Sequence, residues 1–88
     1  MTLVLNRGWG GFSLPQDFCN TYGFSRYDDI DRDDPRLIDW VTDHLDHKGK
    51  CFDLACVEIP DNATDWELGE YDGWESIIYV VDGKIHHA

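Results

Sequence analysis

Residues 57–81 read VEIPDNATDWELGEYDGWESIIYVV, and they hold two of the chain's four Trp and two of its four Tyr but no Lys or Arg. Trp66 and Leu68 alternate with Asp65 and Glu67, the period of a strand with one buried face. An apolar run follows at residues 75–81. Asp72-Gly73 separates the two runs and Asp82-Gly83 closes the second; Asp-Gly suits the left-handed backbone of a two-residue hairpin. The stretch therefore predicts three consecutive antiparallel strands. The last, residues 84–87, is a short edge whose Lys84, His86 and His87 discourage further pairing. Gly69 predicts a bulge. Glu67, Glu70 and Glu75 are expected to lie exposed on the sheet face turned away from any helices.

Upstream, residues 52–59 alternate so as to turn Phe52, Leu54 and Cys56 inward, and residues 2–5 read as a first strand. Two helices fall between these strands. Ser13-Leu14-Pro15-Gln16 has the form of a capping box, which predicts a helix running to Tyr22, stopped by Gly23 and burying Phe18 and Tyr22. Asp34 is placed to cap a second helix that Pro35 begins, extending to about residue 47 with Leu37, Ile38, Val41 and Leu45 on one face. The glycines around Trp9 predict a tight turn that folds Trp9 and Phe12 back on the core. The expectation is one α+β domain over residues 1–88. Its antiparallel sheet has four to five strands, with two helices between strand 1 and strand 2 packed on one face.

The charge bounds the function. Eighteen acids against seven bases give a net charge of −11, and residues 51–82 contain nine acids and no base. Such a field repels phosphates and accelerates encounter with a basic surface. The expected partner is a protein with a basic surface, with no direct contact to nucleic acid; a homodimer stays open. No apolar stretch approaches the ~20 residues that cross a bilayer, and no basic-then-apolar leader is legible, so the expected site of action is the cytoplasm, away from membranes. Three cysteines, Cys19, Cys51 and Cys56, suit reduced buried thiols.

Several chemistries fail on spacing. Asp29, Asp31 and Asp33 alternate like calcium ligands, but the sixth position is Asp34 instead of Gly and the twelfth is Trp40 instead of Glu. His44, His47, Cys51 and Cys56 lack the paired spacing of a zinc site. The glycine-rich turn lacks the Lys-Ser/Thr of a phosphate loop. Glu67 with Glu75, assisted by His44 or His47, is the one acid–base constellation, in a domain with little room for a pocket. The expectation is a binding protein rather than an enzyme, with no catalytic residue, cofactor or metal. Its candidate partner-binding residues are Asp28, Asp29 and Asp31 before the second helix, Asp39, Asp43 and Asp46 along it, and Glu67, Glu70, Glu75 and Trp74 in the sheet. The alternative is a contact, with a partner or a second copy, built on exposed aromatics among Trp9, Trp40, Trp66 and Trp74, the acids serving only solubility. At least two of the four Trp are expected in the core.

Four segments carry a resemblance: residues 6–14 (N-x3-G-G-F-S-L), 31–38 (DRDDPRLI), 57–61 (VEIPD) and 65–75 (DWELGEYDGWE). With these the chain resembles a family of short, uncharacterised acidic proteins of bacteriophage and prophage genomes. The resemblance brings no assigned activity and no site residues. It implies a viral context inside a host cell, where a small acidic protein can bind and block a nucleic-acid-handling defence protein, such as a nuclease or a CRISPR effector, by presenting a surface that mimics nucleic acid.

Overall fold

The computed structural model describes residues 1–88, in the order β1 (Thr2–Asn6), α1 (Gln16–Tyr22), α2 (Pro35–Asp43), β2 (Leu54–Glu58), β3 (Asp65–Tyr71), β4 (Trp74–Val81), β5 (Lys84–His87). The class is α+β, as expected, but the strands form two sheets rather than one. An antiparallel ribbon β1-β2 stands apart from an antiparallel meander β3-β4-β5.

Leu3, Val4 and Leu5 explain the layering. Three apolar residues in a row suit a strand buried on both faces, and each of the three is fully buried. Val4 enters a core with Leu14 and Phe18, Leu37 and Val41 of α2, and Leu54 of β2. Leu3 and Leu5 point the other way, into a smaller core with Ile59 and Ile77 of β4. The ribbon is thus the middle layer, with both helices on one side and the meander on the other.

The single sheet fails for a physical reason. On the side of β1 away from β2, Val4 N–H donates to Arg32 O at 2.8 Å and Asn6 N–H donates to Glu75 Oε1 at 2.7 Å. A carbonyl and a carboxylate have taken the positions that another strand would fill, so β1 has nothing left to offer β4.

Both helices follow their punctuation with amendments. α1 ends at Gly23, in left-handed backbone (φ +80°), but Pro15 occupies its N-cap and Ser13 makes no cap. Tyr22 is 42% exposed rather than buried. α2 begins as expected: Asp34 accepts from Arg36 N–H at 2.9 Å, with Pro35 in the first turn. It stops at Asp43, short of residue 47, because Asp46 accepts the backbone N–H groups of Lys48 and Lys50 at 2.8 and 3.1 Å and closes a turn instead. Leu45 is left exposed.

Both hairpins form where Asp-Gly stands. Asp72 and Gly73 have φ of +50° and +90°, Asp82 and Gly83 of +52° and +76°, the two positive values a two-residue turn of this kind needs. Gly69 makes no bulge: the register runs unbroken through Leu68↔Ile77, Gly69↔Ser76 and Glu70↔Glu75. Phe52, expected inward, is 79% exposed with φ +55°, so β2 begins only at Leu54. Trp9 is 70% exposed, not folded back, and of the four Trp only Trp40 packs against a core cluster.

Candidate protein-binding surface

Cross-strand partners in an antiparallel pair share a sheet face. Trp66↔Tyr79, Leu68↔Ile77 and Glu70↔Glu75 therefore lie on the face that Ile77 turns toward β1, while Glu67↔Ile78 and Tyr71↔Trp74 lie on the outer face. The expectation of Glu67, Glu70 and Glu75 together on one solvated face is corrected accordingly. Only Glu67 is on the outer face, and Glu67 and Glu75, the proposed acid–base pair, are on opposite sides of the sheet.

Glu75 is the largest correction. Expected as an exposed surface acid, it is 8% exposed. The Arg32 guanidinium grips it with both terminal nitrogens, Nη2 to Oε2 at 2.7 Å and Nη1 to Oε1, while Asn6 N–H donates to Oε1. Arg32 also reaches Val4 O at 3.3 Å and lies over the Phe12 ring at 3.6 Å. Asn6 completes the knot, its Nδ2 donating to Gly8 O at 2.9 Å and to Gly73 O at 2.6 Å. A Cβ on Gly73 would sit 2.8 Å from Gly10 N, so the glycine turn of residues 8–11 and the tip of the β3-β4 hairpin meet backbone to backbone. Residues of β1, of the segment before α2 and of the β3-β4 hairpin converge here, and the contacts made by Glu75 and Gly73 tie the meander to the rest of the chain. A signal for this was present: Glu75 has the same strand parity as Ile77 and Tyr79, which places it inward, where a carboxylate needs a base.

The other candidates divide by what they do. Glu70 accepts from Gly73 N–H at 3.1 Å and supports the hairpin. Asp46 is held well below the usual carboxylate range, first by Lys50 N–H and then by Lys48 N–H. Asp28 accepts from Ser25 N–H at 2.7 Å in a local turn. Trp74 is 38% exposed and carries the Arg7 guanidinium 4.2 Å over its ring; burial pulls Arg7 down from its ordinary value against the field of Glu75. Asp29, Asp31, Asp39, Asp43 and Glu67 are exposed and form no ion pair. Asp39 and Asp43 are one turn apart on α2, whereas Glu67 lies on the outer face of β3. The acids thus occupy separate faces rather than one stripe.

Two of them border a feature the sequence did not disclose. A groove of about 590 Å³ runs between the segment of residues 29–36 and the inner face of β3; it is lined by Asp29, Ile30 and Asp31 on one side and by Trp66 and Leu68 on the other, with Phe24, Arg32, Asp34 and Arg36. Its two arginines are already engaged. Arg32 holds Glu75, and Arg36 holds Asp34 at 2.9 Å, which keeps the Asp34 carboxyl below its usual range. Asp29 and Asp31 remain as the unpaired charges of the groove. Trp66 and Leu68, 39% and 41% exposed, overhang it because β1 and the smaller core stop short of β3. Alternation did show the pair as one face of a strand; nothing local showed that the face would be only half covered.

No group of three His, Cys, Asp or Glu side chains lies close enough to hold a metal ion. Burial pushes the Cys51 thiol up, making it a poor nucleophile. His44 Nδ1 is 2.8 Å from Trp40 O and its ring stacks on the indole at 4.4 Å. No helix is long and apolar enough to cross a membrane. Comparison of the chain with protein-family models, curated proteins and solved structures gives no match.

Proposed function

We propose that this chain is a non-enzymatic binding protein that docks on a basic surface of another protein and denies that surface to nucleic acid. One observation carries the reading. The meander leaves Trp66, Leu68, Tyr71 and Trp74 between 38% and 74% exposed within a stretch, residues 51–82, that contains no base. Exposed aromatics in a field of one sign suit a partner whose surface is both apolar and positive, since the acids speed encounter and the aromatics supply contact area. Asp29, Asp31, Asp39, Asp43 and Glu67, none of them paired, extend the field. The resemblance to phage and prophage proteins supports a host nucleic-acid-handling protein as that partner, and action in the host cytoplasm.

The test is capture of such a partner from bacterial lysate on the immobilised protein, with raised salt and competing duplex DNA as parallel washes. Retention that both washes release, and that Asp29→Lys with Asp31→Lys weakens, is the expected result. Retention indifferent to both washes, and unchanged in that variant, overturns the reading.

A further inference from the structure

We infer that the open edge of β3 is a peptide-binding site, and that its occupant is an extended segment rich in Lys or Arg, paired to β3 as a further strand with alternate side chains in the groove beneath. This rests on the reading of the chain as a binder of basic surfaces and names the segment it takes.

The edge is chemically vacant. In a two-residue hairpin the residues flanking the turn exchange both hydrogen bonds, so bonded pairs recur at Tyr71↔Trp74, Gly69↔Ser76, Glu67↔Ile78 and Asp65↔Val80. The reciprocal bonds of Ile77 with Ala88, at 2.8 and 3.0 Å, fit this phase, because they turn the odd-numbered groups of β4 toward β5. The N–H and C=O of Trp66, Leu68 and Glu70 therefore point away from the sheet. None of them takes part in a backbone bond formed outside the strands, so no loop or terminus covers them. Unlike β5, this edge carries no Lys or Pro, and it is seven residues long.

The same three residues present side chains on the inner face, where Trp66 and Leu68 line the groove. An added strand would thus find a ladder of outward donors and acceptors beside a groove in which Phe24, Ile30, Trp66 and Leu68 offer apolar contact among charged neighbours, the arrangement by which extended peptides bind sheet edges. Charge chooses the occupant. β3 bears Asp65, Glu67 and Glu70, and the facing wall bears Asp29 and Asp31, with no free base among them. A second copy pairing edge to edge would set like charges opposite one another, whereas a basic segment sets opposite charges there.

The probe is a synthetic peptide of about nine residues, matched to the span of β3, alternating Lys and Val and blocked at both ends. It is titrated into the whole protein while amide exchange and backbone chemical shifts are followed. Binding should slow exchange at Trp66, Leu68 and Glu70 while leaving Glu67 and Gly69 little changed. N-methylation of alternate peptide bonds, which keeps the charge and removes the ladder, should weaken binding by about tenfold or more. Asp29→Lys with Asp31→Lys, exposed changes that spare the core, should weaken it several-fold at low salt only. Equal binding of the N-methylated peptide without protection of those amides overturns the edge site, and leaves salt- and DNA-sensitive capture of a basic partner as a separate result. Absence of peptide binding overturns it too. Self-association that protects the same three amides also overturns it, by making a second copy the occupant.

Discussion

Of the strands that end a sheet in this molecule, β1 and β3 are treated in opposite ways. At β1 the outward N–H groups of Val4 and Asn6 are bound by Arg32 O and the Glu75 carboxylate. At β3 the outward groups of Trp66, Leu68 and Glu70 are left open. Sealing β1 requires burying an ion pair, which stabilises only when every remaining lone pair and proton is satisfied. Here the pair is well supported: Arg32 spans Glu75, Val4 O and the Phe12 ring, Glu75 also accepts from Asn6 N–H, and no buried side-chain polar atom is without a partner. The sealed edge holds the two sheets together, whereas the open one stands free above a groove.

Removing the seal should produce the largest effect. Glu75→Gln leaves Arg32 uncompensated, and a broken buried pair costs about 3–5 kcal/mol, enough to unfold much of a domain this small. Denaturant unfolding measures it. Pairing Glu75→Gln with Arg32→Gln should cost less than the sum of the two single changes, because the second removes the charge the first orphans. A loss under ~1 kcal/mol for Glu75→Gln would mean that β1 is closed by something else.

Next in size is Gly73→Ala. The added Cβ meets Gly10 and Gly11 and the φ of +90° is strained for any L side chain, for a loss of about 1–3 kcal/mol in the same assay. Beyond stability, it should loosen the meander from the ribbon and expose Trp74 further, read as a red shift in Trp emission.

On the open edge the balance reverses. Leu68→Ala removes a side chain that is already 41% exposed, so stability should change by less than ~1 kcal/mol while binding of the basic peptide falls. A large loss of stability there would mean that the β3 face is core.

The smallest effect is the acid dependence of two carboxylates that flank α2. Asp34 is depressed by the hydrogen bond from Arg36, and Asp46 by N–H groups of Lys50 and Lys48. A carboxylate whose folded pKa lies below its unfolded value, about 3.9, contributes stability that is present above that value and lost as pH falls through the folded one. The melting temperature should therefore hold from neutral pH to about 5 and fall below about 4. Asp34→Asn, which keeps the cap and loses the charge, should flatten part of that fall.

The meander was legible because its signals are local: two Asp-Gly turns, alternating Asp65 to Leu68, and the apolar run behind Glu75. The helix limits at Gly23 and Pro35 were legible for the same reason. What escaped were relations across the chain. Arg32 and Glu75 are 43 positions apart, and no periodicity links them, so Glu75 read as one more surface acid and β1 as free to join a larger sheet. Among the candidate binding residues, the exposed state of Asp29, Asp31, Asp39 and Asp43 follows from polarity and helix phase. The groove that gathers Asp29 and Asp31 opposite Trp66 and Leu68 depends on how far the smaller core reaches, which only packing decides.

Amide hydrogen exchange on the free protein sets the two edges side by side. The amides of Val4 and Asn6, though no strand faces them, should exchange as slowly as core amides of β1 and β4. Those of Trp66, Leu68 and Glu70 should exchange rapidly, beside slow neighbours at Glu67 and Gly69. Slow exchange along the whole of β3, or fast exchange at Val4 and Asn6, would contradict the division of this chain into a sealed edge and an open one.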